Sequence, residues 1–299
     1  MGGEARRFAK VALLLAFLLV AASLVARCGG GESGKMLTLA DIGWTENTAI
    51  SGLTKVLLEE ELGYEKVTIK TSDLDSVFEG VAGGDLDAFQ DVWLPNQQDL
   101  LGSVQDDVEQ LGPWYQGQTR QGIGVPSYME TTSLDQLNES EADQILGIEP
   151  SSVVMEIVFD NVIPAYGLEQ KLVEASTEGM LAEIERRIND REDFAFVAWA
   201  PHWMNQRYDF RYLEDPQDAF GELNNPAEVS MVVHEDLRDN DPVAYAFMKA
   251  MRLDEEQLNN LEDVINEAGD PLVGARRWAE DNYDVVQPWI DAAEAARDA

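Results

Sequence analysis

Three of the seven tryptophans, Trp44, Trp93 and Trp199, lie at or just after the ends of short apolar runs. If these runs are strands of open α/β sheets, the three side chains lie at the sheet edge where ligands bind. An indole face attracts a cation within about 6 Å and contributes on the order of 0.5 to 2 kcal/mol, most where water is excluded. A quaternary ammonium group has no N–H to donate, so indole faces suit it well. Together the three residues predict a site for a methylated ammonium ligand.

The segment 147–152 has features that favour binding of a negatively charged group. It reads Gly-Ile-Glu-Pro-Ser-Ser and joins a predicted strand to a predicted helix. Glycine lets the backbone approach a ligand closely, and amides at the start of a helix favour an anion. If the ligand also carries a carboxylate, we expect the backbone amides of Gly147 and Ile148 to bind it.

The sequence offers little for catalysis. It contains two histidines and one cysteine, and it has neither a Ser-His-Asp arrangement nor a His-Glu-x-x-His motif. Acid pairs such as Asp73/Asp75 and Asp85/Asp87 could serve a secreted glycosidase whose tryptophans stack on sugar rings, which is a remote alternative. Such spacings arise by chance among 57 Asp and Glu residues. We therefore predict a binding protein with no catalytic residue, no cofactor and no metal site.

The net charge excludes a nucleic-acid partner. The 299 residues include 57 Asp and Glu against 21 Lys and Arg, which gives a formal net charge of −36. Binding to a phosphate backbone requires a basic face, and no part of this sequence concentrates Lys and Arg enough to provide one. The 45% of apolar residues are enough to build the core of one large domain or two smaller ones.

Residues 1–27 are typical of a signal peptide, with a basic stretch before an apolar run, 11–25. That run is shorter than the roughly 20 residues of a membrane span. Residues 28–36 form a glycine-rich tether that starts at Cys28, the only cysteine in the sequence. A cysteine in this position resembles the lipobox of bacterial lipoproteins, although Arg27 stands where a small residue is usual. We expect lipidation of Cys28, with an unmodified thiol as the alternative.

Beyond the tether, short β-branched runs alternate with amphipathic helical stretches, which predicts an α/β fold. The alternation restarts after residue 126, so we expect two lobes around a ligand cleft, one of residues 37–125 with 226–299 and the other of residues 126–225. The predicted strands are 37–42, 67–71, 88–94, 121–125, 144–148, 172–173, 194–199, 212–213 and 229–233. The predicted helices are 46–62, 74–82, 151–166 and 178–188, with helical structure again in 242–296.

Seven runs of the sequence carry a family resemblance. They are GWTEN (43–47), VAGGDLD (81–87), VWLPN (92–96), GVPSY (124–128), GIEP (147–150), AWAPHWM (198–204) and YLEDP (212–216). In this order and spacing they resemble the glycine betaine/proline betaine-binding proteins of bacterial ABC importers. The resemblance implies a two-lobed periplasmic-binding-protein fold of type II. It also implies a prism of Trp44, Trp93 and Trp199 around the ligand ammonium, with the carboxylate on the amides of Gly147 and Ile148.

One position departs from the family pattern. Some members have a histidine five residues after the second prism tryptophan that helps to hold the carboxylate, and this chain has Gln98 there. A glutamine can donate a hydrogen bond but carries no positive charge. His202, three residues after Trp199, is the nearby alternative, so Gln98 and His202 are both candidate ligand contacts.

The resemblance also implies a function. It indicates the extracytoplasmic substrate-binding component of an ABC importer, which captures glycine betaine or a similar compatible solute for osmoprotection and delivers it to a membrane permease. We expect a monomer, anchored by lipid at Cys28 to the outer face of the cell membrane or lying in the periplasm. A choline or carnitine receptor on the same scaffold is the alternative. Choline has no carboxylate and would leave the Gly147 and Ile148 amides without a partner.

Overall fold

Ten strands form two five-stranded sheets in residues 34–298, the part of the chain that the computed structural model describes. The strands are β1 (Met36–Asp41), β2 (Lys66–Thr71), β3 (Ala88–Leu94), β4 (Val108–Leu111), β5 (Arg120–Pro126), β6 (Gln144–Leu146), β7 (Lys171–Val173), β8 (Ala195–Ala200), β9 (Phe210–Tyr212) and β10 (Glu228–His234). The first sheet has the order β2-β1-β3-β10-β4, and the second has the order β7-β6-β8-β5-β9.

The first sheet is built around β3, of which every residue except Leu94 is buried. Strand β1 pairs in parallel with β2 and β3, and β10 runs antiparallel to β3 and β4. Strands covered on both faces read as near-continuous apolar runs, and the five buried central residues of β10, four of them apolar, fit that pattern. Since β10 follows the whole second sheet in sequence, the first sheet combines two separate chain segments.

The second sheet takes one strand that the sequence interpretation grouped with the first lobe. Strand β5 pairs antiparallel with β8 and β9, while β6 pairs in parallel with β7 and β8. Residues up to 125 were expected in the first lobe, but Ile123 and Val125 lie in β5 and pack in the second sheet. The chain therefore passes to the second sheet before residue 120, and it returns between β9 and β10.

Helices cover the faces of both sheets. Asp73, Ser176 and Asp254 each accept a hydrogen bond from a backbone amide in the first turn of a helix, which satisfies a group that has no partner within the helix. The helices are α1 (Thr45–Glu60), α2 (Leu74–Ala82), α3 (Gln98–Val104), α4 (Val153–Ile157), α5 (Ile163–Tyr166), α6 (Thr177–Asp190), α7 (Met204–Arg207), α8 (Leu237–Asn240), α9 (Pro242–Ala250), α10 (Glu255–Ala268), α11 (Pro271–Asp281) and α12 (Tyr283–Ala295).

The helix predicted for 151–166 is not regular. It starts at Val153, has a π-helical segment, Val158–Val162, between α4 and α5, and ends at Gly167 with φ of 57°. Pro164 has no amide hydrogen to continue the α-helical ladder, and helices change pattern at such points. The sequence interpretation also missed the short elements α3 and β4.

The predicted signal peptide and the lipidation site Cys28 lie outside the described residues. Met36, the last residue of the predicted tether, is the first residue of β1. No helix within residues 34–298 is long and apolar enough to cross a membrane.

Candidate ligand-binding site

The structure brings the three predicted tryptophans to one cavity. The cavity lies where β1 and β3 of the first sheet and β8 of the second sheet end. Its lining residues are Trp44, Glu46, Trp93, Asn96, Gln97, Gln121, Ile148, Val153, Val154, Val197, Ala198 and Trp199. Apolar walls with a few convergent polar groups are typical of small-molecule sites.

Each tryptophan is held by the element that carries it. Trp44 is the residue before α1 and is 6% exposed, and Trp93, the penultimate residue of β3, is 1% exposed. Trp199, the penultimate residue of β8, is 4% exposed. The first sheet thus supplies two indoles and the second supplies the third. That these rings bind a ligand stays a prediction, but their shared cavity meets its geometric requirement.

Two indole N–H groups donate to buried carboxyl groups. Trp93 Nε1 donates to Asp91 Oδ1 at 2.9 Å, within the same strand. Trp199 Nε1 donates to Glu46 Oε2 at 3.2 Å and so joins the second sheet to α1 of the first. These bonds use the edge of each indole and fix its orientation, which leaves a ring face for the cavity.

Burial perturbs these acids strongly. It raises the pKa of Asp91 to about 7. It also raises the pKa of Glu46 well above its usual value, and the charges of Asp91 and Glu262 add to that effect. Glu262 of α10, whose Oε2 accepts a hydrogen bond from the Trp203 amide at 2.8 Å, has its pKa raised by burial to about 8. The site is therefore rich in buried acids that do not ionise readily.

Of the two residues whose backbone amides are predicted to bind a ligand carboxylate, only one lines the cavity. Ile148 lines the cavity, and its amide faces the Met155 sulfur at 3.4 Å. Gly147 does not line the cavity, and its amide donates to the Val173 carbonyl at 2.8 Å. The Gly147 prediction does not fit this geometry, because its only N–H is already used. Glycine suits the packing here, since a Cβ would lie 2.9 Å from the Val173 backbone carbonyl oxygen.

Gln98 does not reach the cavity. It is exposed at the start of α3, whereas its neighbours Asn96 and Gln97 line the cavity. Asn96 Nδ2 donates to Gln121 Oε1 at 3.2 Å across the two sheets. Gln97 Oε1 accepts from the Trp93 backbone amide at 3.3 Å. The glutamine predicted as a ligand contact is thus replaced by two amide side chains just before it.

His202 lies behind the cavity wall and does not line it. It is fully buried, and its ring centroid lies 4.7 Å from that of Trp199. Its Nδ1 accepts from the Met204 amide at 3.0 Å, so Nε2 carries the proton and donates to Thr45 Oγ1 at 2.8 Å. Burial lowers its pKa to about 3. His202 therefore packs as a neutral residue that supports Trp199 and bridges to α1, and this position does not favour the predicted ligand contact.

Sequence reasoning missed Glu46, Asn96, Gln97 and Gln121. Gln121 stands directly opposite Trp199 in the pairing of β5 with β8, so strand register could have identified it. Glu46 follows Trp44 by two residues, but it is one of 57 acids and only its burial sets it apart. Within the described residues, no group of three or more His, Cys, Asp or Glu could hold a metal ion.

A family model for the substrate-binding domain of ABC-type glycine betaine transport systems, named OpuAC, matches residues 35–281. The chain belongs to this family. The resemblance stated from the sequence runs is therefore confirmed, and the match covers nearly all of the described residues.

Relatives of known name and structure agree with this assignment. The glycine betaine/carnitine transport binding protein GbuC of Listeria monocytogenes is 27% identical over 153 residues, 50% of this chain and 50% of GbuC. This chain therefore matches about half the length of that relative.

Two solved structures cover most of the chain. Lactococcal OpuAC, in its closed conformation with glycine betaine, is 27% identical with a TM-score of 0.76 over 86% of this chain and 99% of that one. The glycine betaine/L-proline-binding protein ProX of Borrelia burgdorferi is 25% identical with a TM-score of 0.77 over 85% of this chain and 96% of that one. The predicted type II periplasmic-binding-protein fold is confirmed.

Proposed function

We propose that this chain is the extracytoplasmic substrate-binding component of an ABC importer for glycine betaine or a related quaternary-ammonium solute. One observation carries the proposal: the indoles of Trp44, Trp93 and Trp199 line a single cavity. Membership of the glycine betaine-binding family supports the same ligand class. We propose capture without chemical change, since the cavity serves to enclose a cation and the family's members are transport binding proteins.

The proposed mechanism of capture follows from the fact that the two sheets each supply indole rings to the cavity. A trimethylammonium group between the three indole faces gains a cation–π contact of about 0.5 to 2 kcal/mol with each ring, more as water leaves the cavity. Two rings belong to the first sheet and one to the second, so a bound cation joins the two sheets. We propose that the sheets with their helices are the two lobes and that the ligand favours their closed arrangement, which a permease then recognises.

Choline is a second candidate, and one observation favours it. Glu46 lines the cavity with a buried acceptor oxygen that has no hydrogen-bond partner, whereas the Gly147 amide is engaged and Gln98 and His202 lie outside the lining. A ligand hydroxyl can donate to such an oxygen, while a ligand carboxylate would be repelled if Glu46 is ionised. Glycine betaine must instead use the Ile148 amide or the Asn96 and Gln121 side chains.

Calorimetric titration tests both candidates. The protein is titrated with glycine betaine, proline betaine, carnitine and choline, and with glycine as the control that lacks only the methyl groups of glycine betaine. We expect heat of binding from at least one methylated ligand and none from glycine. Binding of glycine as tight as that of glycine betaine would refute the indole cage. Choline binding tighter than that of every betaine would select the second candidate.

The anchoring and assembly of the protein are proposals as well. We propose that Cys28 carries lipid after removal of residues 1–27 and that the protein acts as a monomer beside its permease. Mass spectrometry of the protein from its native membranes tests this: we expect a diacylated N-terminal Cys28, and a Cys28→Ser variant should be released into the soluble fraction. An unmodified thiol on the membrane-bound protein would contradict the proposal.

A further inference from the structure

Three carboxyl groups of different elements lie together behind the indole cavity. They are Glu46 of α1, Asp91 of β3 and Glu262 of α10, here called the acid cluster, and each side chain is at most 1% exposed. The charge of Asp91 raises the pKa of both Glu46 and Glu262, so the three groups act on one another. Glu46 lines the indole cavity, and Glu262 lines a separate open groove beside Thr45 and Asn266.

Each member of the acid cluster keeps one oxygen without a partner. One oxygen of each accepts a hydrogen bond, from the indole of Trp199, the indole of Trp93 or the backbone amide of Trp203. The other oxygen, Glu46 Oε1, Asp91 Oδ2 or Glu262 Oε1, is buried without any hydrogen bond. Leaving a buried acceptor unpaired is costly, and leaving a buried charge unpaired is more so.

Among residues 34–298, no Lys, Arg or His forms an ion pair with these groups. The titratable groups that face the acid cluster from neighbouring elements are Asp41 at the end of β1, which acts on Asp91, the neutral His202 beside Trp199, and Tyr115, whose pKa is raised by burial and by Glu262 so that it stays neutral. Asp41 in turn faces Glu149, which follows β6. The surroundings therefore add negative charge or none.

We propose that binding of the quaternary-ammonium ligand drives one proton off the acid cluster, so that the ligand's permanent charge replaces the proton as the partner of Glu46. This inference rests on the proposed function. The proton leaves a carboxyl group and passes to solvent, and the ligand ammonium brings one positive charge beside Glu46 in its place. With choline the net charge of the closed site does not change, and with a zwitterionic betaine, whose carboxylate also enters the site, it falls by one. The cluster extends from the indole cavity, which Glu46 lines, to the wall of the groove beside Glu262.

Because ligand binding is linked to proton release, the proposal predicts the direction in which ligand affinity changes with pH. The raised pKa values of the cluster mean that the ligand-free protein holds protons near neutral pH. A cation beside Glu46 favours the carboxylate, so the ligand and the proton compete. Affinity then rises with pH, by roughly tenfold per pH unit if one proton is released for each ligand bound. Because the groups interact, the proton belongs to the cluster as a whole.

Calorimetry in two buffers tests the proposal. Glycine betaine is titrated at one pH near 7 in phosphate and in Tris, whose ionisation enthalpies differ widely. We expect the two heats to differ by an amount that corresponds to release of about one proton per ligand. Equal heats, or a difference that indicates proton uptake, would overturn the inference while leaving the proposed function intact. Absence of heat with every methylated ammonium ligand would refute the proposed function and the inference with it.

Two variants test whether Glu46 contributes to the release of the proton. Glu46→Gln keeps the size of the side chain and an acceptor for Trp199 but cannot release a proton. We expect it to bind glycine betaine with a smaller difference between the two heats and a weaker pH dependence than the wild type, because Asp91 and Glu262 remain. Glu65→Gln, at an exposed acid between α1 and β2, is the matched control and should release as many protons as the wild type. Undiminished proton release from a folded Glu46→Gln protein would overturn the assignment to Glu46. If that variant does not fold, the comparison of wild-type binding heats in phosphate and Tris still decides the proposal.

Discussion

Replacing Trp93 by alanine separates binding from stability when it is compared with the same change at Trp278. Both indoles are 1% exposed, and both donate Nε1 to a side-chain oxygen at 2.9 Å, Asp91 Oδ1 for Trp93 and Asn260 Oδ1 for Trp278. Trp93 lines the indole cavity, whereas Trp278 lies on α11 and does not. The two substitutions should therefore have similar costs for folding but different costs for binding.

The magnitudes follow from these contacts. Each substitution removes a large buried side chain and should lower the free energy of unfolding by about 3 to 5 kcal/mol. Trp93→Ala also removes one of three cation–π faces and admits water to the cavity, which should cost about 1 to 3 kcal/mol of binding, or roughly 5- to 150-fold in Kd. Trp278→Ala should leave Kd unchanged.

Glycine betaine calorimetry and urea unfolding measure the two effects on the same preparations. Trp93→Phe adds a further comparison, because it keeps an aromatic face but leaves Asp91 without its indole donor. We expect its Kd to lie between those of the wild type and Trp93→Ala. Equal losses of affinity in Trp93→Ala and Trp278→Ala would refute the reasoning, since binding would then follow stability and not the indole cage.

Three further predictions concern the polar groups around the cage. Asn96→Ala removes the 3.2 Å bond to Gln121 and should weaken glycine betaine binding by about 2- to 12-fold in calorimetry, while an unchanged Kd would count against this contact between the sheets. His202→Gln should leave the pH dependence of glycine betaine binding between pH 6 and 8 unchanged, because burial lowers the pKa of His202 to about 3 and the residue stays neutral in this range. A changed pH profile would contradict its neutral role. The pKa of Glu262 is about 8 in the folded protein against 4.5 for the ordinary group, so its contribution to stability is fully present below pH 4.5 and is lost as pH rises through 8. In urea unfolding of the ligand-free protein, Glu262→Gln should make stability less dependent on pH, by up to about 1.4 kcal/mol per pH unit in that window, and an unaltered slope would refute the assignment.

The sequence was sufficient to place the indole cage because strand ends can be located from hydrophobic pattern. The run before Trp93 is apolar enough to be a buried strand, and the segments around Trp44 and Trp199 follow the same logic. The three tryptophans then meet at one cavity, because open α/β sheets bind ligands at the edge where their strands end.

The polar contacts could not be predicted in the same way, since they depend on side-chain direction and on competition for hydrogen bonds. Gln98 and Gln97 are neighbours in sequence, yet one is exposed and the other lines the cavity. The Gly147 amide was a reasonable donor until the Val173 carbonyl proved to accept from it. Glu46 has no sequence feature that separates it from an exposed acid in the first turn of a helix, where acids are common for electrostatic reasons.

We expect caging of the ligand and closure of the protein to be one event in this geometry. The segment 199–203 makes three hydrogen bonds to the first sheet's helices, from the Trp199 indole to Glu46, from His202 to Thr45 and from the Trp203 amide to Glu262. The same segment carries the third wall of the cage. A Trp199 indole that swings away from the cation must therefore also break its hydrogen bond to Glu46, a member of the acid cluster. We therefore expect a ligand that holds Trp199 in place to stabilise these three hydrogen bonds as well, so that a few cation–π contacts control the position of an entire lobe.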